Sequence, residues 1–274
     1  MTHTESDLMI ARLVEYGEAE AYEDMFSAAP AELALRVERY ADALILLAPQ
    51  LPEILFNRVM CLGLHQTAAQ ATIDELITRY RTANITNYAF QQSPLSQPVE
   101  LPSWLHSRGL VSIDNWAKVY RTPDASLDFT TQLRVESITR RHAADHSHIV
   151  CTAFGMPPML RPWLEALVER PGWTHYIAFD GESAVATSAL FVRKGIGWLG
   201  IAGTLPVHRG KGGQGAMMAR RIRDAAILGC DYVITETGES TTLHPNPSYR
   251  NMMRSGFQLA YQRPNDMPLS AVEI

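Results

Sequence analysis

No run in this 274-residue sequence approaches the roughly 20 apolar residues that a membrane-spanning helix needs. The opening MTHTESDLMIARLVEYGEAE carries early acids and no long apolar stretch, so it lacks the form of a secretory signal. Cysteine is scarce. Cys61, Cys151 and Cys230 are far apart and odd in number, which excludes a disulfide framework and a cysteine-spaced metal site. A reducing cytoplasm is the simplest expectation. Excess positive charge is missing too: 24 Lys and Arg stand against 29 Asp and Glu, a net charge of -5. Nothing global recommends nucleic acid or a membrane as partner, so any basic function is local.

What is present is an ordinary folded composition, 46% hydrophobic and 19% charged, in a length comfortable for two domains. Glu5 to Phe26 reads as a helix with its acids outside. Arg36 to Leu47 reads as a strand or strand pair, and Asn57 to Leu64 as a buried strand. Ala68 to Arg81 reads as a helix with Ile73, Leu76, Ile77 and Tyr80 at helical spacing. Tyr88 to Gln92 is a strand, Ser93 to Pro98 a loop, and Ser103 to Ser107 a short helix before a strand ending near Arg121. The polar stretch Thr122 to Asp128 reads as a linker.

A second series follows. Strands are expected at Leu133 to Ile138, Tyr176 to Phe179, Ala184 to Val192, Gly197 to Leu205, Tyr232 to Glu236 and Gln258 to Gln262. Helices are expected at His142 to Phe154, Pro158 to Glu169, Met217 to Leu228 and Ser248 to Arg254. The halves echo each other: PSWLHSRGLVSIDNWAKVYR resembles NPSYRNMMRSGFQLAYQRPN, and the element order upstream matches, as in an internal duplication.

One feature belongs to the second half alone. Between Arg209 and Gly215 lie four glycines and two cations, directly before a helix closed by Gly229. A strand-to-helix turn of this kind aims unpaired backbone N–H groups at one spot, with the positive end of the helix dipole behind them. No acid interrupts Val207 to Arg223, which holds five cations; Arg220, Arg221 and Arg223 are expected to face outward. The chemistry suits a diphosphate. Lys211 is followed by Gly212-Gly213 rather than Ser or Thr, so this is not a Walker A loop.

HRGKGGQGAMMARRIRDAAILGC resembles the acetyl-CoA motif of the GCN5-related N-acetyltransferase (GNAT) family, Arg-x-x-Gly-x-Gly/Ala, at Arg209, Gly210, Lys211 and Gly212. It departs at Gln214, with Gly215 next. SYRNMMRSGF is similar to the Ser-x-Arg…Gly-Phe ending of one branch of that family. The resemblance spans Leu133 to Asn265. It implies an α/β fold of the α+β type: a mixed, mostly antiparallel sheet flanked by helices, with a smaller degenerate GNAT-like lobe beside it. The expected units are 1–123 and 131–274. By the same resemblance, the backbone of Ala202, Gly203 and Thr204 would meet pantetheine, and amides from Arg209 to Gly215, including Gly213, would hold the pyrophosphate. Ser248 and Asn251 would face the middle of the acetyl-CoA co-substrate.

The implied reaction moves acetyl to a primary amine, on a small molecule or a peptide, by direct attack, so no cysteine nucleophile is needed. The alternative is a CoA-binding sensor or scaffold without turnover; a nucleotide site is a third idea. Many family members place a tyrosine acid where this chain has Met252. Tyr249, one turn earlier, is a candidate replacement or a packing residue. Glu236 or Glu239 would accept the amine proton, and His244 is a further, exposed candidate. His142 and His146 share a helix face at a spacing zinc ligands use, but no third ligand accompanies them. A solvated face is expected there, and no metal. Phe154 and Trp163 lie on the segment that forms the acceptor wall in the family, whereas Trp173 and Trp198 read as core.

Overall fold

Thr4 starts the first helix through a capping box: its side chain accepts from the Asp7 amide while Asp7 accepts from the Thr4 amide. The computed structural model describes residues 4–271. The first half contains α1 (Glu5–Ser27), β1 (Arg36–Tyr40), β2 (Ala43–Leu47), β3 (Arg58–Met60), α2 (Gln70–Thr82), β4 (Ala89–Gln91), α3 (Leu101–His106) and β5 (Leu110–Arg121). The second contains β6 (Arg134–Ser137), α4 (Ala143–Phe154), α5 (Arg161–Ala166), β7 (Trp173–Asp180), β8 (Ser183–Arg193), β9 (Ile196–Thr204), α6 (Gly213–Ile227), β10 (Tyr232–Gly238), α7 (Pro247–Arg254) and β11 (Gln258–Pro268).

The strands of the described residues form one sheet, in the order β1-β2-β3-β4-β11-β5-β10-β9-β8-β7-β6. Every neighbouring pair is antiparallel except β3–β4 and β9–β10. Leaving aside the edge strand β6, the order read outward from the centre is a palindrome in which each half's last strand has crossed over. β5 pairs with β10 of the second half, and β11 pairs with β4 of the first. The duplication expected from the echo thus has a topological counterpart.

Alternation along the strands divides the core into two faces. Val14, Tyr22, Phe26, Trp163, Trp198 and Ile234 share one cluster, so α1 and α5 cover that face. Met217, Met218, Ile222, Leu199 and Val233 share another beneath α6, on the opposite face. Among the described residues no helix is long and apolar enough to cross a membrane.

Three expectations need correction. The buried strand is shorter than Asn57 to Leu64, because Cys61 and Gly63 adopt positive φ (68° and 81°) and turn the chain at its end. The acids of α1 do not all lie outside: Glu15 and Glu18 are fully buried, facing cations from distant strands. Arg221 does not turn outward. It is buried, and its guanidinium donates to the carbonyls of Met217, Ala189 and Gly200.

Candidate active site

β9 and β10 pair in register over only three positions, Ile196–Tyr232 to Trp198–Ile234, and then separate. β9 also bulges against β8, where Thr187 faces Gly203 and Ala189 faces Gly200; Ile201 takes up the extra residue at a φ of 51°. A bulge leaves main-chain groups out of the ladder, and here they border a gap in the sheet. A cavity of about 1080 Å³ passes through that gap. Its walls include Met217, Met218 and Asn251 from one face and Tyr22, Val150 and Trp163 from the other.

On the α6 side the cavity ends at the glycine loop. α6 begins at Gly213, four residues before the expected Met217, so Gly213, Gln214 and Gly215 form its first turn. Gly210 and Gly212 sit at φ 82° and 80°, which only glycine adopts without strain. Arg209 and Ala216 donate to Pro206 and Gly212. Among the described residues, none of the amides from Gly210 to Gly215 has an acceptor, and Arg209 has no ion pair. Lys211 differs from its neighbours: its ammonium is bound 2.6 Å from Asp180 and is not a cavity wall. Ala202, Gly203 and Thr204 line the cavity alongside the loop.

α7 closes the same side. Ser248, Asn251, Met252 and Ser255 line the cavity, one helical face at spacings of three, four and seven. Gln214 links loop and helix, donating to Ser248 at 2.9 Å and accepting from Asn251 at 2.7 Å. Tyr249 falls on the neighbouring face. It packs against the cluster beneath α6 and is not a cavity wall, so the helical period separates it from the place expected of a proton donor. The linker runs over the loop: the Phe129 ring would come within 2.3 Å of a Cβ at Gly215, and Thr131 donates to the Lys211 carbonyl.

Across the sheet gap stands Glu236. Its side chain keeps 12% of its surface exposed, toward the cavity. One oxygen accepts from Arg58 at 3.0 Å and the other from Arg263. Lys118 lies 3.6 Å away. Behind it, Glu18 accepts from Lys118 and Arg263, and Glu15 accepts from Arg263 and Tyr261. Three carboxylates thus balance three cations. Burial and the Glu18 charge push the Glu236 carboxyl up from its ordinary range. Glu18, against its own burial, is held well below that range by Lys118, Arg263 and Arg58. Glu239 instead exchanges hydrogen bonds with Asn115, and His244 is exposed; neither lines the cavity.

The histidine cluster divides. His142 stays near the surface, 2.9 Å from Asp145, while His146 is fully buried with its Nδ1 on Thr187. The expectation of a solvated face fails at His146, which packs edge-on to buried His175. Thr187 donates to the Tyr176 carbonyl, so it accepts from His146, leaving His146 Nε2 without a partner among the described residues. Trp163 and Phe154 both line the cavity, as does Trp198, expected only as core; Trp173 is core, donating to Asp24. Sequence reading missed Arg58, Lys118 and Arg263. Arg58 had a signal, a lone cation inside the apolar run FNRVMCLGL.

The first half has a loop at the matching place, between β3 and α2, but it is already filled. The amides of Gly63, His65 and Gln66 all donate to the Asp42 carboxylate, at 2.9–3.1 Å. Gln97 also packs onto Gly63, 2.5 Å from where a Cβ would sit. An internal carboxylate occupies the amides that the second half leaves free.

This is a mixed α/β chain built on a two-lobed, strand-exchanged sheet with an open cleft. More narrowly, it has the fold of the GCN5-related N-acetyltransferases. It is similar to a GCN5-related N-acetyltransferase from Kribbella flavida, with 12% identity, a TM-score of 0.64, and 93% of this chain and 95% of that one covered. A GCN5-related N-acetyltransferase from Sphaerobacter thermophilus aligns with 16% identity, a TM-score of 0.59 and coverage of 96% and 93%. A tandem GNAT protein from the clavulanic acid biosynthesis pathway aligns with 11% identity, a TM-score of 0.57 and coverage of 90% and 93%. No family model matches the sequence, and no curated protein matches it. These likenesses establish the fold.

Proposed function

We propose that this chain transfers an acetyl group from acetyl-CoA to a primary amine by direct attack. One observation carries the reading: a single cavity joins unsatisfied loop amides on one side of the sheet to an ionisable carboxylate on the other. The amides of Gly210 to Gly215, the N-terminus of α6 and Arg209 suit a diphosphate. The backbone of Ala202, Gly203 and Thr204, just past the bulge at Ile201, suits the amide-bearing pantetheine arm, with Ser248 and Asn251 facing it. In this reading residues 131–274 carry the cofactor, and 1–123 form a half whose own loop is filled.

Bound there, acetyl-CoA supplies the thioester whose carbonyl carbon gains the C–N bond as its C–S bond breaks. Glu236 takes the proton that the amine nitrogen loses. Burial and the Glu18 charge raise its pKa, which makes it a stronger base than a free carboxylate. The departing thiolate, the conjugate base of a thiol of ordinary acidity, takes up a proton from solvent, and Glu236 releases the proton it gained. Products are the N-acetylated amine and free CoA.

The placement of Tyr249 off the cavity, with Met252 facing it, favours a second reading: a CoA-binding module without turnover. Thiol release across an amine panel, beside calorimetric titration with CoA, separates the two. Release with at least one amine supports transfer. Binding with no release from any amine supports the module.

A further inference from the structure

The part of the cavity on the α1 face has an unusual lining, and part of it comes from the first lobe. Tyr22 lies on α1, Phe56 on the turn before β3, and Trp116 on β5; facing them are Trp163 and Leu164 of α5 and Trp198 of β9. The aromatics meet across the halves. Phe56 packs edge-on to Trp163 at 5.8 Å, and Tyr22 edge-on to Trp198 at 5.7 Å. The Trp198 ring covers Gly200, where a Cβ would come within 1.8 Å of it.

Charge is nearly absent from this arm. Arg209, His208, Asp128 and Arg254 belong to the loop, linker and α7 side, and Arg221 is spent on carbonyls. Among the described residues, Glu236 is the one charged wall on the α1 face. Its partners Arg58 and Arg263 are fully buried, and Lys118 is 1% exposed. The site therefore offers one carboxylate and no accessible cation.

We propose that the acceptor is a monoamine with a compact apolar, ring-sized body, and that Tyr22, Phe56 and Trp116 make the first lobe its specificity wall. This rests on the acyl-transfer reading above. A ring gains from aromatic edge and face contacts in an apolar arm, while the single nitrogen reaches Glu236. A polyamine would bury further ammonium groups without partners, at high cost. An amino acid would find no cation for its carboxylate. A peptide would find few main-chain partners among apolar side chains.

The full chain is assayed for CoA thiol release with 2-phenylethylamine, spermidine and a lysine-bearing peptide, and for quenching of its tryptophan fluorescence by 2-phenylethylamine in the presence of CoA. The expected result is a kcat/KM at least about 100-fold higher for 2-phenylethylamine than for the other two, with saturable quenching. Phe56→Ala should raise the amine KM about 10-fold or more and leave the acetyl-CoA KM unchanged. Leu55→Glu, at a half-buried wall position, should narrow the preference over spermidine about 10-fold, which covers the case in which Phe56→Ala fails to fold. Spermidine or peptide turned over as fast as 2-phenylethylamine overturns the inference and leaves acyl transfer standing. A preference for hexanoyl-CoA over acetyl-CoA, giving the arm to the acyl chain, also overturns it. Saturable quenching with no thiol release from any amine overturns the transfer reading, and the acceptor assignment with it.

Discussion

Arg58 and Glu236 stand 178 residues apart in sequence and meet at 3.0 Å. One belongs to each half of the chain, and the cation is fully buried while the acid reaches the cavity. Removing the cation leaves two buried carboxylates short of charge, so Arg58→Met should destabilise the fold by about 3–5 kcal/mol. It should also raise the Glu236 pKa, since a carboxylate loses a favourable neighbour. The acid limb of kcat/KM against pH should then move to higher pH. Chemical denaturation and a pH–rate profile check the two effects, and Glu236→Gln in the same background should recover part of the lost stability.

Glu236→Gln alone keeps the size and removes the base. A general base contributes about 10²- to 10⁴-fold, so kcat should fall by that order. The CoA dissociation constant, measured calorimetrically, should change less than about threefold, because Glu236 and the glycine loop lie on opposite faces of the sheet. An equal loss in both would assign the residue to folding or cofactor binding.

Gly212 caps α6 at a φ of 80°, and a Cβ there would come within 3.1 Å of Phe129. Gly212→Ala should cost about 1–2 kcal/mol from the left-handed backbone. Gly212→Asp adds negative charge against the diphosphate and should weaken CoA at least tenfold. Unchanged affinity by calorimetry would remove the loop from the cofactor site.

Because Asp42 already fills the first-half amides, CoA should bind with a stoichiometry of one per chain. Asp42→Ala frees three amides whose charge-assisted hydrogen bonds contribute about 1.5–3 kcal/mol each at most. Its melting temperature should drop, and the stoichiometry of one should persist, because Gln97 still covers Gly63. A second CoA bound by the wild-type chain would contradict this account of the first half.

Buried His175 is held neutral, its pKa pushed down to about 3 by desolvation. The unfolded chain binds the proton more readily, so the stability this residue contributes is full above about 6.5 and is lost as pH falls toward 3. At pH 5 the loss from His175 is about 2 kcal/mol. His146, also pushed well below its ordinary value by burial and by His175, adds in the same direction. Denaturant midpoints at pH 8 and pH 5 should differ accordingly, and His175→Leu should shrink the difference.

The fold was legible where the signal is local. Glycine spacing marked the loop, and helical periodicity marked α2 and α6 to within a few residues, because turn chemistry and amphipathic faces are written in neighbouring positions. The echo of two segments matches the repeated strand order, but nothing in it marked one shared sheet or the exchange of β5 and β11. What stayed hidden depends on partners far away in sequence. Glu15 and Glu18 look like solvent-facing acids of a helix, and only the crossing of β5 and β11 brings Lys118 and Arg263 beneath them. Arg221 looked like its neighbours Arg220 and Arg223, which stay half-buried, but the β9 bulge provides a carbonyl that holds it inside. Tyr22 and Phe56 carried no mark of a binding wall, since their role depends on how the first half packs against the second.

The exchange of final strands has a consequence for inheritance. A half that has given its edge to its neighbour and taken another in return cannot be shed by deletion, whatever becomes of its own ligand loop. The loop that Asp42 fills can change without the segment around it becoming dispensable, because deleting the first half would strip β11 of both its neighbours, β4 and β5.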